Sequence, residues 1–228
     1  MKNIVFFTGA GISAESGIKT FRDADGLWEN HNIYEVATPE AFAANPKLVL
    51  DFYNARRRQM YTVEPNGAHH AIAALQDKHN VHVITQNIDN LHERAGSVQV
   101  LHLHGELDKG RSSANEDLLV PLHGNDIQIG DKAPDGTQLR PHVVWFGESV
   151  PALDEAVPII ETADVLVIVG TSLQVYPAAG LIDYANHHCA VYYIDPKAVK
   201  PPGYRNKIHV VAKKAVEGIT ALCVGEKW

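Results

Sequence analysis

Residues 3–13 read Asn-Ile-Val-Phe-Phe-Thr-Gly-Ala-Gly-Ile-Ser. A short apolar run stops abruptly at Gly9-Ala10-Gly11, which predicts a buried strand over 3–8 that delivers the chain into a glycine turn. Glycines at such a turn let backbone approach a pyrophosphate closely, and a helix beginning just after it would offer unpaired N–H groups to the anion. Taken alone, the same residues serve equally well as a tight turn. The full Gly-x-Gly-x-x-Gly is not present, because the third glycine falls at Gly17. The acidic ribose anchor usual about 20 residues further on is replaced by Phe21-Arg22-Asp23.

Working outward, further Val- and Ile-rich runs occur at 81–85, 98–103, 142–146, 164–169, 190–194 and 207–211. Helical patterns lie near 87–95, 153–163, 177–187 and 213–224. This alternation predicts an α/β fold with a doubly wound, parallel, Rossmann-like sheet. Two stretches interrupt it. Residues 29–79 carry helix signals only, with Thr38-Pro39 and Asn45-Pro46 each reading as an N-cap followed by proline at the first helical position. Residues 106–141 are polar and rich in turns; within them Leu118, Leu119 and Val120, then Ile127 and Ile129, flank His-Gly-Asn-Asp and predict a β-hairpin. The expected organisation is a single domain over 1–228. Its Rossmann-like lobe takes about 1–28, 80–105 and 142–228, and a small lobe is made from the insertions 29–79 and 106–141.

With 228 residues, 45% apolar and 21% charged, the composition is that of a globular chain that can build its own core. Twenty basic against 27 acidic residues leave a net charge of −7, which argues against nucleic acid or an anionic membrane as partner. No apolar run reaches the roughly 18 residues of a membrane span, and the first residues lack a signal-peptide profile, so a cytoplasmic protein is expected. Cys189 and Cys223 alone build neither a disulfide framework nor a four-cysteine zinc site.

Three more motifs sit at predicted strand ends, where open parallel sheets form their ligand crevice. Thr85-Gln86-Asn87-Ile88-Asp89-Asn90-Leu91-His92 carries more polar side chains than a helix cap uses. His102-Leu103-His104-Gly105 places two histidines at strand period two, as a metal pair or as core residues with satisfied rings. Gly170-Thr171-Ser172 offers small residues and hydroxyls suited to phosphate or ribose.

In this order and spacing, these motifs together with Gly17-Ile18-Lys19-Thr20-Phe21-Arg22 and Val143-Val144-Trp145-Phe146-Gly147-Glu148 resemble the sirtuins, NAD-dependent protein lysine deacylases, from residue 3 to about 222. The resemblance implies that Gly9, Ala10, Gly11 and Ser13 contact the NAD phosphates, with Phe21 and Arg22 on a cofactor loop. It implies that Gln86, Asn87, Ile88 and Asp89 hold the nicotinamide ribose and carboxamide, with Asn87 and Asp89 also ordering the reacting groups, and that His104 is the general base. Val144, Trp145, Phe146, Gly147 and Glu148 would pair with an acyl-lysine peptide as an added strand. Gly170, Thr171 and Ser172 would serve the adenosine half, and Asp195 and Ala212 the adenine, although the family more often has Asn where Asp195 stands. The implied reaction moves the acyl group from lysine to ADP-ribose as nicotinamide leaves, with a neutral imidazole taking a proton from a ribose hydroxyl.

Two departures from the family refine this expectation. Most sirtuins hold a structural zinc with two Cys-x-x-Cys pairs; here the counterpart stretches, 107–113 and 131–134, contain no cysteine, and no zinc is expected. The acid usual before Phe21 is Thr20, which together with Tyr53-x-x-Arg56 is similar to the branch that removes succinyl and malonyl groups; Arg56-Arg57-Arg58 could otherwise be a solvated basic face. Acetyl-lysine is expected to be processed as well. The rival readings are mono-ADP-ribosyl transfer to protein and an NAD-sensing module without turnover.

Overall fold

The computed structural model describes residues 1–19, 27–28, 31–199, 204 and 206–224. Six parallel strands form the main sheet, in the order Ile208–Val211, Ala190–Ile194, Val165–Val169, Asn3–Thr8, Asn80–Thr85, Val100–His102. The first strand is central. From it the chain builds toward one edge, then crosses back to Val165–Val169 and builds toward the other, which puts a topological switch point between Thr8 and Val169.

Period-two alternation along these strands feeds two cores. Ile4, Phe6, Val81, Val83, Val165 and Val167 pack on one face with Ile72 of the helix Gly67–Ala74 and Ile219 of the helix Ala215–Cys223. Val5, Phe7, Ile84, Leu166 and Ile168 pack on the other with Ile160 of the helix Leu153–Glu161 and Leu181 of the 3-10 run Ala178–Tyr184. Helices on both faces explain why these strands read as continuous apolar runs. The helix Gly67–Ala74, although it lies within 29–79, belongs to this main core.

A three-stranded antiparallel sheet, Leu119–Pro121, Gly105–Ser112 and Leu139–Val143, stands apart and is covered by the helix Pro46–Met60. The caps read from sequence are present: Thr38 Oγ1 accepts from Ala41 N (3.0 Å) and Asn45 Oδ1 from Leu48 N (3.1 Å), each followed by proline. Among the described residues no helix is long and apolar enough to cross a membrane.

Several local expectations are corrected. The 118–129 hairpin does not form, because Leu119–Pro121 pairs with Lys109–Arg111 instead. Ile127 is held elsewhere, exchanging backbone hydrogen bonds of 2.9 Å with the Asn54 amide, while Ile129 is exposed. The strand placed at 142–146 runs over Leu139–Val143, because Trp145 N turns off to the Glu148 carboxylate (2.8 Å). Of 87–95 only Leu91–Arg94 is helical, since the preceding polar residues form an irregular turn. No α-helix begins at the glycine turn; two 3-10 turns, Ala10–Ile12 and Ala14–Ser16, follow it, and Gly17 closes the second in the left-handed region (φ 97°).

Candidate functional site

The site starts at the switch point. Gly9 N donates to Val169 O (3.1 Å) and Gly11 N to Gly170 O (2.8 Å), so the two strand ends touch backbone to backbone. A Cβ on Gly11 would lie 2.6 Å from Gly170 Cα, and one on Gly170, which has φ 66°, would lie 2.3 Å from Ile12 N. Only glycine fits there. The contact brings Gly9 against Thr171, and the Gln86 amide at the end of another strand donates to Thr171 Oγ1 (3.1 Å).

Behind this edge lies a buried polar lattice. Thr8 donates to Thr85 Oγ1 (2.8 Å), which in turn accepts from Asn87 N (3.0 Å). Asn87 Nδ2 donates to Ser13 Oγ (3.1 Å), and Ser13 donates to Asp89 Oδ2 (3.0 Å). Asp89 Oδ1 accepts from Leu91 N (3.2 Å). Burial pushes the Asp89 pKa up, opposed by the hydrogen bonds from Leu91 and Ser13. The lattice fixes the Asn87 and Asp89 side chains on the wall nearest the glycine turn.

His104 follows the strand Val100–His102. Its Nδ1 lies 3.0 Å from the Gln86 carbonyl, and a carbonyl can only accept, so Nδ1 carries the hydrogen and Nε2 of the neutral ring keeps its lone pair. Burial holds the His104 pKa below the usual imidazole range, against the pull of the Gln86 bond, so the ring is neutral at pH 7. That is the state a general base needs.

A cleft is lined by Trp28, Arg56, Gln59, Ile88, Asp89 and Leu107. Arg56 therefore faces the same space as Ile88 and Asp89, with its guanidinium 5.3 Å from the Phe52 ring centroid. The three consecutive arginines point three ways: Arg57 is fully buried and donates to Leu107 O (2.6 Å) and Asn54 Oδ1 (2.7 Å), while Arg58 pairs with Asp126 at the surface. A solvated basic face is thus excluded for Arg57. Tyr53, one turn before Arg57, is fully buried, and its hydroxyl accepts from Trp145 Nε1 (3.0 Å).

In the 144–148 segment, Phe146 and Gly147 are exposed, Val144 N donates to His104 O (3.0 Å) and Phe146 N to Ala37 O (3.0 Å). The Glu148 side chain turns inward, accepting from Arg140 (2.7 and 3.1 Å), Arg111 (3.0 Å) and Trp145 N, and Arg140 lies over the Trp145 ring. Asp195 and Ala212 close the adjacent strand ends Ala190–Ile194 and Ile208–Val211; Asp195 is buried and caps Lys197 N (2.8 Å). Phe21 and Arg22 lie outside the described residues.

Residues 9–177 match the Sir2 family. The chain belongs to the Sir2 family. It is 58% identical over 198 residues to an NAD-dependent protein deacylase of Helicobacter pylori, covering 87% of this chain and 86% of that one. With an NAD-dependent protein deacylase of Bacteroides thetaiotaomicron it shares 54% identity over 227 residues, 97% of each. Among solved structures it resembles a mutant Sir2 homologue in complex with ADP-ribose (TM-score 0.87, 39% identity, 97% of this chain and 90% of that chain) and a Sir2 homologue–NAD complex (TM-score 0.83, 38% identity, 97% and 88%).

The cysteine-free stretch 107–113 ends in a hydroxyl–carboxylate knot. Ser112 Oγ donates to Asp135 Oδ2 (2.5 Å), lies 2.9 Å from Thr137 Oγ1, and accepts from Ala114 N (3.0 Å) and Asn115 N (2.9 Å). One carboxylate and two hydroxyls, with neither thiolate nor imidazole, do not fit a structural zinc site. Sequence reasoning missed this knot, the Arg111–Arg140–Glu148 cluster and the Trp145–Tyr53 bond. All three join residues distant along the chain, and no local pattern announces them.

Proposed function

We propose that this Sir2 member is an NAD-dependent protein deacylase that removes succinyl and malonyl groups from lysine, and acetyl groups as well. The observation that carries the reading is His104: a neutral ring beside the Asn87–Asp89 lattice, at the carboxyl ends of the strands, with its tautomer set by the Gln86 carbonyl. Gly9, Ala10, Gly11 and Ser13 are assigned to the phosphates of NAD. Gly170, Thr171 and Ser172 are assigned to its adenosine half, and Asp195 and Ala212 to the adenine. The residues at the switch point suit such a ligand, because their small side chains leave the crevice open to a bulky phosphate group. Phe21 and Arg22 are assigned to the cofactor loop on the sequence motif alone.

Gln86, Asn87, Ile88 and Asp89 hold the nicotinamide riboside end. His104 Nε2 accepts the proton of a ribose hydroxyl, which frees that oxygen to receive the acyl group from lysine. The products are nicotinamide, O-acyl-ADP-ribose and free lysine. Because burial depresses the His104 pKa, turnover should hold through neutral pH and fall only as pH drops through a value below 6.5.

Arg56 and Tyr53 are assigned to the acyl carboxylate. Trp145 Nε1 occupies the Tyr53 oxygen as donor, so the phenol hydrogen is left to donate elsewhere. Val144, Phe146 and Gly147 are assigned to the peptide backbone through their carbonyl oxygens, since Val144 N and Phe146 N are already bonded within the chain, while Trp145 and Glu148 shape that segment from within. The experiment is mass spectrometry of one peptide carrying acetyl-, succinyl- or malonyl-lysine, with and without NAD. NAD-dependent loss of the acidic acyl groups is expected; loss of acetyl alone would overturn the acyl assignment.

A further inference from the structure

His102 lies two residues before the proposed base and is bonded at both ring nitrogens. Nδ1 is 2.8 Å from the Asn87 carbonyl and Nε2 is 2.8 Å from Glu93 Oε1. Neither a carbonyl nor a carboxylate has a hydrogen to give. Both nitrogens must therefore donate, and only the imidazolium does that. The side chain is 7% exposed. The adjacent carbonyls of one turn, Gln86 and Asn87, are thus read by two histidines in opposite states, His104 neutral and His102 charged.

The surrounding charges agree. Glu93 comes from the helix Leu91–Arg94 and Glu106, itself paired with Lys109, from the strand Gly105–Ser112; buried Asp89 and neutral His92 complete the setting. Burial alone would lower the His102 pKa, but the Glu93 bond and charge, the Asn87 carbonyl and Glu106 reverse the sign and raise it. Glu93, His102 and Glu106 also bring ligand atoms within 4.8 Å of one another. A metal there would have to displace a proton from His102, at the cost of its bond to Asn87 or Glu93.

We propose that His102 is a positioning residue, an imidazolium that pins the Asn87 carbonyl, and that its loss of a proton sets the alkaline limit of NAD binding. A neutral His102 keeps one bond. The charge-assisted bond to Glu93 is the stronger, so the remaining hydrogen stays on Nε2 and the Nδ1 lone pair then faces the Asn87 oxygen. The turn carrying Asn87 and Asp89 moves away from that repulsion. The proposal rests on the assignment of this turn to the nicotinamide end of NAD.

The test combines imidazole NMR with NAD titration calorimetry on the whole chain across pH 6–10, an interval of about four units around the imidazole range. The His102 signal is identified by its absence in His102→Gln. In the wild type it should titrate above the ordinary imidazole value. NAD affinity should weaken on the order of tenfold across the same midpoint, the loss expected of one charged hydrogen bond. Glu93→Gln keeps an oxygen for Nε2 but removes the charge from a half-exposed position, and should lower both midpoints together by about one unit. A His102 that titrates at or below the ordinary imidazole value would overturn the proposal. So would an NAD affinity that stays flat across its midpoint, or midpoints that Glu93→Gln does not move. A chain that bound no NAD at any pH would instead overturn the functional reading on which the proposal stands.

Discussion

Replacing Tyr53 by Phe removes one oxygen from the centre of the small-lobe core, and two separate effects should follow. The hydroxyl accepts the Trp145 indole N–H at 3.0 Å, and both side chains are buried. Leaving that N–H unpaired costs about 1–3 kcal/mol. For a chain of this size each kcal/mol is worth roughly 2–4 °C, so a loss near 2 kcal/mol lowers the melting temperature by about 4–8 °C. The ring itself stays packed against Phe52 and Trp28, at centroid distances of 5.1 and 6.0 Å, so no cavity adds to the cost. Burial also pushes the Tyr53 pKa far up, which keeps the phenol a hydrogen donor at any working pH. Losing that donor should lower the ratio of succinyl to acetyl kcat/KM by about tenfold, the worth of one charge-assisted bond. Thermal unfolding and paired peptide kinetics read the two effects. Trp145→Phe and the double variant complete a cycle whose coupling should be about 1 kcal/mol. Unchanged melting would refute the buried bond, and an unchanged ratio would refute the phenol's place in acyl recognition.

Arg56→Met should lower the succinyl-to-acetyl kcat/KM ratio by about tenfold to several hundredfold while sparing deacetylation; a ratio that does not move would remove Arg56 from the acyl pocket. Acid should destabilise the fold through His69 and His92, which are fully buried, 4.9 Å apart, and held neutral by burial, His69 down to about 4 and His92 well below the ordinary value. Their folded pKa values lie below the unfolded one, so the stability they contribute is complete above pH 6.5 and is lost as pH falls below it, by about 2 kcal/mol from His69 at pH 5; urea unfolding at pH 7.5 and 5.0 checks this, and His69→Gln should flatten part of the slope. Ser112→Ala should cost about 1–3 kcal/mol, because the hydroxyl serves four partners in the knot. A chelator should change neither melting nor activity, and stoichiometric zinc by elemental analysis would contradict that.

The strand-end motifs were legible because each is local. Asn3–Thr8 running into Gly9-Ala10-Gly11, Asn80–Thr85 running into Gln86-Asn87-Ile88-Asp89, and Val165–Val169 running into Gly170-Thr171 each pair an apolar run with a turn whose residue types have a physical reason. The Thr38-Pro39 and Asn45-Pro46 caps were legible for the same reason. The strand Gly105–Ser112 was not, because it carries Asp108, Lys109, Arg111 and Ser112 in place of an apolar alternation. Those polar side chains are accommodated by residues far along the chain, Glu148 for Arg111 and Asp135 for Ser112. His102 illustrates the same limit at the site: its spacing from His104 was visible, but its charge state depends on Glu93 and the Asn87 carbonyl, which only the folded turn brings to it.

The most direct test of deacylation by His104 follows both halves of NAD in one reaction. NAD labelled in its ADP-ribose half is incubated with a succinyl-lysine peptide and either the wild type or His104→Ala. The wild type should release nicotinamide and place the label in O-acyl-ADP-ribose, one for each lysine freed. His104→Ala should still bind NAD, because the Gly9–Ser13 turn and Gly170–Thr171 contact remain, and should form no O-acyl-ADP-ribose. Label attached to protein would favour ADP-ribosyl transfer, NAD bound without nicotinamide release would favour a sensor, and full turnover by His104→Ala would remove the base; any of the three contradicts the account.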